Sequence, residues 1–471
     1  MSQTLSVIEA AAEQPDQPAL IRDGSALTFG ELAARVLGRM RWLEAQGVMR
    51  GNEDSPAALV ASADEQFVEF LFALFEMGVP ALLVHPRWTE HERSSLLRDL
   101  ALSGSFASPW PTLPADSGNA PARAPAFDDE RALAILYTSG SSGAPKGIVL
   151  SRRAFLASAR ASAANLGWQA DDRWLLGLPP AHIGGLSVLT RCLLARRPVV
   201  LTQPTRHAAG VDPRSLADVI ERERVTLLSL VPTQLARLLE LDPPWNPPAH
   251  VRAILLGGAA APPPLIARAR ERGFPILTTY GLTEACSQVT TQRPKTPLLG
   301  ADAGQALPGI EVSAASGQIL VRGPVLFTRY FPSGSPAPLR DGWFETGDSG
   351  TVDADGVLHV TGRDSEMIIT GGENVWPAEV EHALLECSDV RAACVFALPD
   401  PTWGEVLGAA LVVADPNRFE LERLSEELRA RLASFKRPRQ IALLPALPLT
   451  PSGKPDRSET RRVAEARLRR L

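Results

Sequence analysis

Two short apolar runs, Leu133 to Leu136 and Ile148 to Leu150, bracket the stretch Tyr137-Thr-Ser-Gly-Ser-Ser-Gly-Ala-Pro-Lys146-Gly147. Both runs read as buried strands, so the stretch between them is a loop joining two strands. Gly140, Gly143 and Gly147 let backbone N–H groups turn toward an anion with no Cβ in the way. Thr138, Ser139, Ser141 and Ser142 add hydroxyl donors, and Lys146 adds charge. That is the chemistry of holding a polyphosphate. A Walker A loop is excluded, because Lys146 is followed by Gly147 rather than Ser or Thr and the Mg²⁺-binding hydroxyl is missing.

The rest of the chain supplies sheet around this loop. Leu32, Val36, Met40 and Leu43 recur at helical spacing after a hairpin around Arg22-Asp23-Gly24. A strand from Ala57 to Ala61, a helix from Phe67 to Phe75 and a strand from Pro80 to Val84 predict a βαβ unit and a parallel sheet. Strand candidates at 175–179, 198–202, 226–231 and 251–256 continue the alternation, while residues 103–130 read as a surface connection. From about Gly317 short strands with turn signals predict a β-rich subdomain. Past Arg363 an α+β pattern follows, with a helix from Pro377, a strand from Ala392 to Leu398 and a helix over 421–432. The expected architecture is α/β, with a large domain of parallel and mixed sheets over 1–363 and a small α+β domain over 364–471.

At 471 residues the chain exceeds one ordinary core. A net charge of −5 argues against a nucleic-acid or anionic membrane surface. No apolar run approaches the roughly 18 residues of a membrane span, and residues 1–8 lack the pattern of a signal peptide. Cys192, Cys286, Cys387 and Cys394 form no C-x-x-C pair, so a reducing cytoplasm is the expectation. Of 48 basic residues only Lys146, Lys295, Lys436 and Lys454 are lysines. In so arginine-rich a chain, a lysine marks a place where a compact, mobile ammonium is needed.

Further stretches belong with the loop. Gly257, Gly258 and Ala259 end a strand in bare backbone, against which a planar ring can lie. Thr279, Tyr280, Gly281, Thr283 and Glu284 offer an aromatic face, hydroxyls and a carboxylate within a few residues. Ligands in open α/β sheets sit beyond the carboxyl ends of strands, where these segments fall. Asp348 suits the vicinal hydroxyls of a ribose, and Arg363 can fork across hydroxyl or phosphate oxygens.

Taken in order, these motifs resemble the adenylate-forming superfamily of acyl- and aryl-CoA synthetases. The resemblance runs from the first helix to Lys454 and implies ATP, Mg²⁺ and coenzyme A. It implies that Tyr280 stacks on adenine, Thr283 contacts the α-phosphate, Glu284 binds Mg²⁺ and Asp348 holds the ribose. Arg363 matches the arginine at the domain junction, and Ser365 falls at the hinge of a mobile lid domain. Thr370-Gly371-Gly372 resembles the loop used for thioester formation, and Lys454 the lysine used for adenylation.

Within the superfamily, stretches around His182, Gly184, Gly185, Ser229 and Thr233 look like those of ligases that activate o-succinylbenzoate. The resemblance makes His182 a wall for the acid, with Gly257, Gly258 and Thr279 lining the same pocket. Arg191 lies in an otherwise apolar helix, where a buried cation needs a partner, and the second carboxylate of such an acid would serve. Pro180-Ala181, where an aromatic is common, leaves room for a benzoate or anthranilate. An adenylation enzyme loading a carrier protein is a third reading, and it asks for an attachment domain for which no residues follow Leu471. A non-enzymatic nucleotide-binding paralogue is the fourth. The partners expected are a small aromatic acid, ATP and CoA, with monomer and homodimer both open.

Overall fold

Apolar runs too short for helices become strands of four sheets. The computed structural model describes residues 4–86, 88, 90–98, 100–111, 128–139, 145–202, 212–294, 302–363, 366–370, 373–400, 403–450 and 453–471. The largest sheet has nine strands, with Trp174–Leu176, Leu227–Leu230, Ala253–Leu256 and Ile276–Leu282 running parallel through its middle. Their residues are almost all buried, as strands covered on both faces must be. Ser287–Thr291 returns antiparallel beside Ile276–Leu282, so the chain reverses at the end of that strand.

The second sheet holds the predicted βαβ unit. Ala57–Val60 and Ala81–Val84 lie parallel, with the helix Glu65–Met77 between them in sequence. Ala132–Ser139 joins parallel to Ala81–Val84 and then folds back antiparallel as Pro145–Ser151, pairing Tyr137 with Gly147 and Thr138 with Lys146. The two strands that flank the glycine-rich stretch are therefore antiparallel neighbours.

Thr28 caps the helix Phe29–Ala45 in a capping box with Glu31, and Leu32, Val36, Met40 and Leu43 are all buried, as their spacing requires. From this helix Arg39 reaches the buried carboxylate of Glu69 on the helix Glu65–Met77 at 2.7 Å and lies 4.9 Å over the Phe70 ring.

Two expectations need correction. The segment 103–130 is not all connection: Gly104–Phe106 is an edge strand parallel to Ala57–Val60, and Trp110 is buried. Gly-Ser-Phe carries too little hydrophobic pattern to announce a strand; pairing to a neighbour makes it one. The β-rich region also begins before Gly317, since Glu311–Ser313 pairs with Gln318–Arg322. The strands Leu339–Arg340, Trp343–Val352 and Leu358–Arg363 complete that third, five-stranded sheet.

Beyond Arg363 the chain builds a separate sheet on the long hairpin Val390–Asp400 and Gly404–Val413. It buries its own core, with Val380, Leu384, Val395, Leu411 and Leu428 at its centre. Among the described residues no helix is long and apolar enough to cross a membrane.

Candidate active site

The carboxyl end of Ile276–Leu282 organises the site. A bulge at Tyr280/Gly281 and a 3₁₀ turn over Thr283–Ala285 reverse the chain. The reversal is so tight that a Cβ on Gly281 would lie 1.9 Å from the Ser287 carbonyl oxygen, so only glycine fits. Gly257, one strand over, is equally constrained: a Cβ there would come within 2.6 Å of Thr279 Cγ2. Gly258 turns the backbone away with φ of 78°. Bare backbone at Gly257 thus runs against Thr279, the residue before Tyr280.

Tyr280 donates its hydroxyl to Asp348 Oδ2 at 2.7 Å, and Arg363 Nε donates to Oδ1 of the same carboxylate at 2.7 Å. Asp348 and Arg363 face one another across paired strands. Burial, and then the Asp348 charge, push the Tyr280 hydroxyl well above the usual tyrosine range, so it remains a donor.

Glu284 is half-buried on the 3₁₀ turn and has no ion-pair partner among the described residues. Burial pushes its carboxyl above the ordinary range, against the pull of Arg363 and Lys146. Such a carboxylate fits Mg²⁺, which would favour its charged form and is commonly held by one or two carboxylates plus substrate phosphates. Lys146 is exposed at the hairpin, with its ammonium 5.6 Å from the centre of the Tyr330 ring. Thr283 precedes Glu284 on the same turn.

Lys454 sits in a tight turn closed by Thr450 N–H to the Lys454 carbonyl at 2.7 Å and Gly453 N–H to the Thr450 carbonyl at 2.9 Å. The residue as a whole is exposed. Desolvation of its ammonium, and then the Arg363 charge, hold its pKa below the ordinary lysine value, with Asp348 and Glu366 pulling the other way. The charges of Arg363 and Asp348 in the large unit are thus felt by the lysine of the C-terminal unit. Gly362 also meets that unit, because a Cβ on it would lie 2.5 Å from Trp376.

On the acid side, His182 immediately precedes the helix Ile183–Ala195 without a side-chain cap hydrogen bond, and its ring lies 5.1 Å from that of His85 at the end of Ala81–Val84. Gly185 is required by packing, since a Cβ would sit 2.4 Å from the Pro179 carbonyl oxygen; Gly184 is held less tightly, against Leu178. Arg191, two turns down the same helix, is 3% exposed. It donates to Ser287 Oγ at 3.2 Å and lies 5.5 Å over the Trp174 ring. Its Nε has no hydrogen-bond partner and no carboxylate pairs with it among the described residues. Desolvation lowers its pKa to about 10, which leaves it charged at neutral pH.

Three expected acid-pocket hydroxyls have other partners. Ser229 Oγ accepts from the Trp174 indole at 3.2 Å, and Thr233 Oγ1 donates to the Gly453 carbonyl at 3.0 Å. Thr279 donates to the Thr290 carbonyl at 2.8 Å. Gly140, Ser141, Ser142, Gly143, Ser365, Gly371, Gly372 and Lys295 lie outside the described residues, as does the Ser139 side chain. Ala259 is half-buried beyond the exposed Gly258. Lys436, to which no role was given, pairs with Glu379. His85, Trp174 and Ser287 escaped the sequence reading because none lies in a stretch with a motif, and Ser287 holds an unusual φ of 95° that nothing local demands.

A nucleotide-shaped constellation at strand ends, with a lysine presented from a second unit, is the site of an adenylate-forming enzyme. The AMP-binding enzyme family matches residues 7–331 and the AMP-binding enzyme C-terminal domain matches residues 379–454; the chain belongs to this family. It is 34% identical over 465 residues to the 2-succinylbenzoate–CoA ligase of Listeria monocytogenes serotype 4b, covering 94% of this chain and 96% of that one. The solved o-succinylbenzoate CoA synthetase of Bacillus subtilis, in complex with its acyl-adenylate intermediate, superposes with a TM-score of 0.85 at 32% identity. That match covers 96% of this chain and 97% of the other. A double mutant of the Bacillus subtilis enzyme bound to a product analogue gives 0.69 at 34% identity, covering 99% and 98%.

Proposed function

We propose that this chain activates o-succinylbenzoate with ATP, releasing pyrophosphate, and then transfers the acyl group from AMP to CoA. The observation that carries the substrate is Arg191. A buried guanidinium with a free Nε and no protein counter-ion among the described residues, on the helix that His182 precedes, suits an acid with a second carboxylate.

In the first half-reaction a carboxylate oxygen attacks the α-phosphorus, and the bond to the bridging oxygen of pyrophosphate breaks. Little covalent work falls to the protein; positioning and charge neutralisation do it. Tyr280 offers its ring to adenine, and Asp348, fixed by Arg363, offers its carboxylate to the ribose. Thr283 and Lys454 donate to the phosphoryl oxygens as charge shifts during transfer, and Lys146 serves the phosphates leaving from the hairpin side. Mg²⁺, held by Glu284 with the nucleotide phosphates, supplies further neutralisation when bound.

In the second half-reaction the CoA sulfur attacks the acyl carbon, the acyl–phosphate bond breaks, and AMP leaves while the thiol proton passes to solvent. The same pocket then needs a different lid. The domain division at 363/364, the hinge at Ser365 and the use of Thr370-Gly371-Gly372 in thioester formation belong to this reading. The higher TM-score against the acyl-adenylate complex supports assigning the present arrangement, with the Lys454 turn against Thr233 of the large unit, to the adenylating half.

ATP- and CoA-dependent AMP release, with o-succinylbenzoate, benzoate and anthranilate offered side by side, tests the substrate. A preference for o-succinylbenzoate of orders of magnitude in kcat/KM is expected. Preference for a monocarboxylic acid would overturn the substrate and leave the reaction class standing.

A further inference from the structure

Among the described residues, the turn that carries Lys454 makes a polar contact to the large domain that the reaction scheme does not use. Thr233 lies in the first turn of the helix Pro232–Leu239 and donates its hydroxyl to the Gly453 carbonyl at 3.0 Å. That carbonyl belongs to the peptide bond leading into Lys454. The helix start is itself anchored, with Gln234 donating to the Gly177 carbonyl at 3.0 Å and accepting from Val231 N–H at 3.1 Å.

The other partner is equally defined. Gly453 holds φ of 83°, and the turn around it is closed by hydrogen bonds from Thr450 N–H, Gly453 N–H and Lys454 N–H. A Cβ on Gly453 would lie 3.5 Å from Thr233 Oγ1 and 3.8 Å from Val231 Cγ2, so the turn rests against this helix. Among the described residues, the helix start and the turn meet through the Thr233 hydroxyl and the Gly453 carbonyl.

The geometry points to Thr233 as a latch: a positioning residue that holds the Lys454 turn against the large domain during adenylation and is released for thioester formation. The inference rests on the proposed role of Lys454. A contact made in only one of two domain orientations biases their populations by its own differential free energy. A single side-chain hydrogen bond of ordinary strength gives a bias of about fivefold, enough to hold the lysine and too little to trap it.

The test separates the half-reactions in the full-length enzyme. For Thr233→Val, pyrophosphate exchange at saturating ATP and acid should fall about fivefold, while thioester formation from supplied acyl-AMP should hold or rise. Thr233→Ser, which keeps the hydroxyl, should restore exchange. Equal loss in both halves, unchanged exchange, or a raised KM for the acid at unchanged rate would each overturn the latch; the last would return Thr233 to the acid pocket. Lys454→Ala is run in parallel. If it spares exchange, the role of Lys454 fails and the latch fails with it; if it abolishes exchange while Thr233→Val is neutral, only the latch fails.

Discussion

The hydroxyl of Tyr280 donates to Asp348 at 2.7 Å, tying the active-site end of a central strand to a carboxylate carried by a different sheet. Arg363 occupies the other oxygen, so the carboxylate is oriented before any ribose arrives. Preorganisation of this kind lowers the ordering that binding would otherwise require. Tyr280→Phe keeps the ring and removes the tie. It should raise KM for ATP several-fold, with about 1 kcal/mol lost, and leave the KM for the acid unchanged. Initial rates over an ATP series check this; an unaltered KM would show the tie to be idle.

Lys454→Ala should abolish adenylate formation and spare thioester formation from supplied acyl-AMP. The wild-type pH profile carries a second signature. Adenylation needs the charged ammonium, and the free enzyme holds the Lys454 pKa below the ordinary lysine range. Activity in kcat/KM for ATP should therefore be lost as pH rises through that lowered value, and the thioester half should lack this basic limb.

Arg191→Leu should lower kcat/KM for o-succinylbenzoate by roughly thirtyfold or more, the cost of stranding a buried carboxylate. Turnover of benzoate, which has no second carboxylate, should persist. Removing a buried cation that has no counter-ion among the described residues should also leave the melting temperature unchanged or raise it. A fall in Tm with uniform loss of both acids would make Arg191 structural.

The Arg39–Glu69 pair tests the scaffold away from the site. Both side chains are nearly inaccessible, at 6% and 1%. Glu69→Ala strands the guanidinium and should destabilise the large domain by roughly 3–5 kcal/mol, while Arg39→Met/Glu69→Leu together should recover much of the loss. Urea denaturation of the two variants distinguishes them.

Much of this molecule was legible in its sequence. The βαβ unit followed from apolar runs at strand and helix lengths, and the long helix from the spacing of Leu32, Val36, Met40 and Leu43. The two strands flanking the glycine-rich stretch were readable because each is a short apolar run bounded by turn residues. The edge strand Gly104–Phe106 was not readable, because its hydrogen bonds go to a neighbour nearly fifty residues earlier.

The sequence by itself determined which chemical groups the site has and their order along the chain, since glycine spacing and turn composition act over a few residues. Only the tertiary structure decided which groups meet. Tyr280 finds Asp348, Arg191 finds Ser287, and Thr233 finds Gly453, each across a separation that no local pattern records. Those meetings depend on how sheets pack and how two domains close, because a hydrogen bond forms only where the whole fold has brought donor and acceptor within reach.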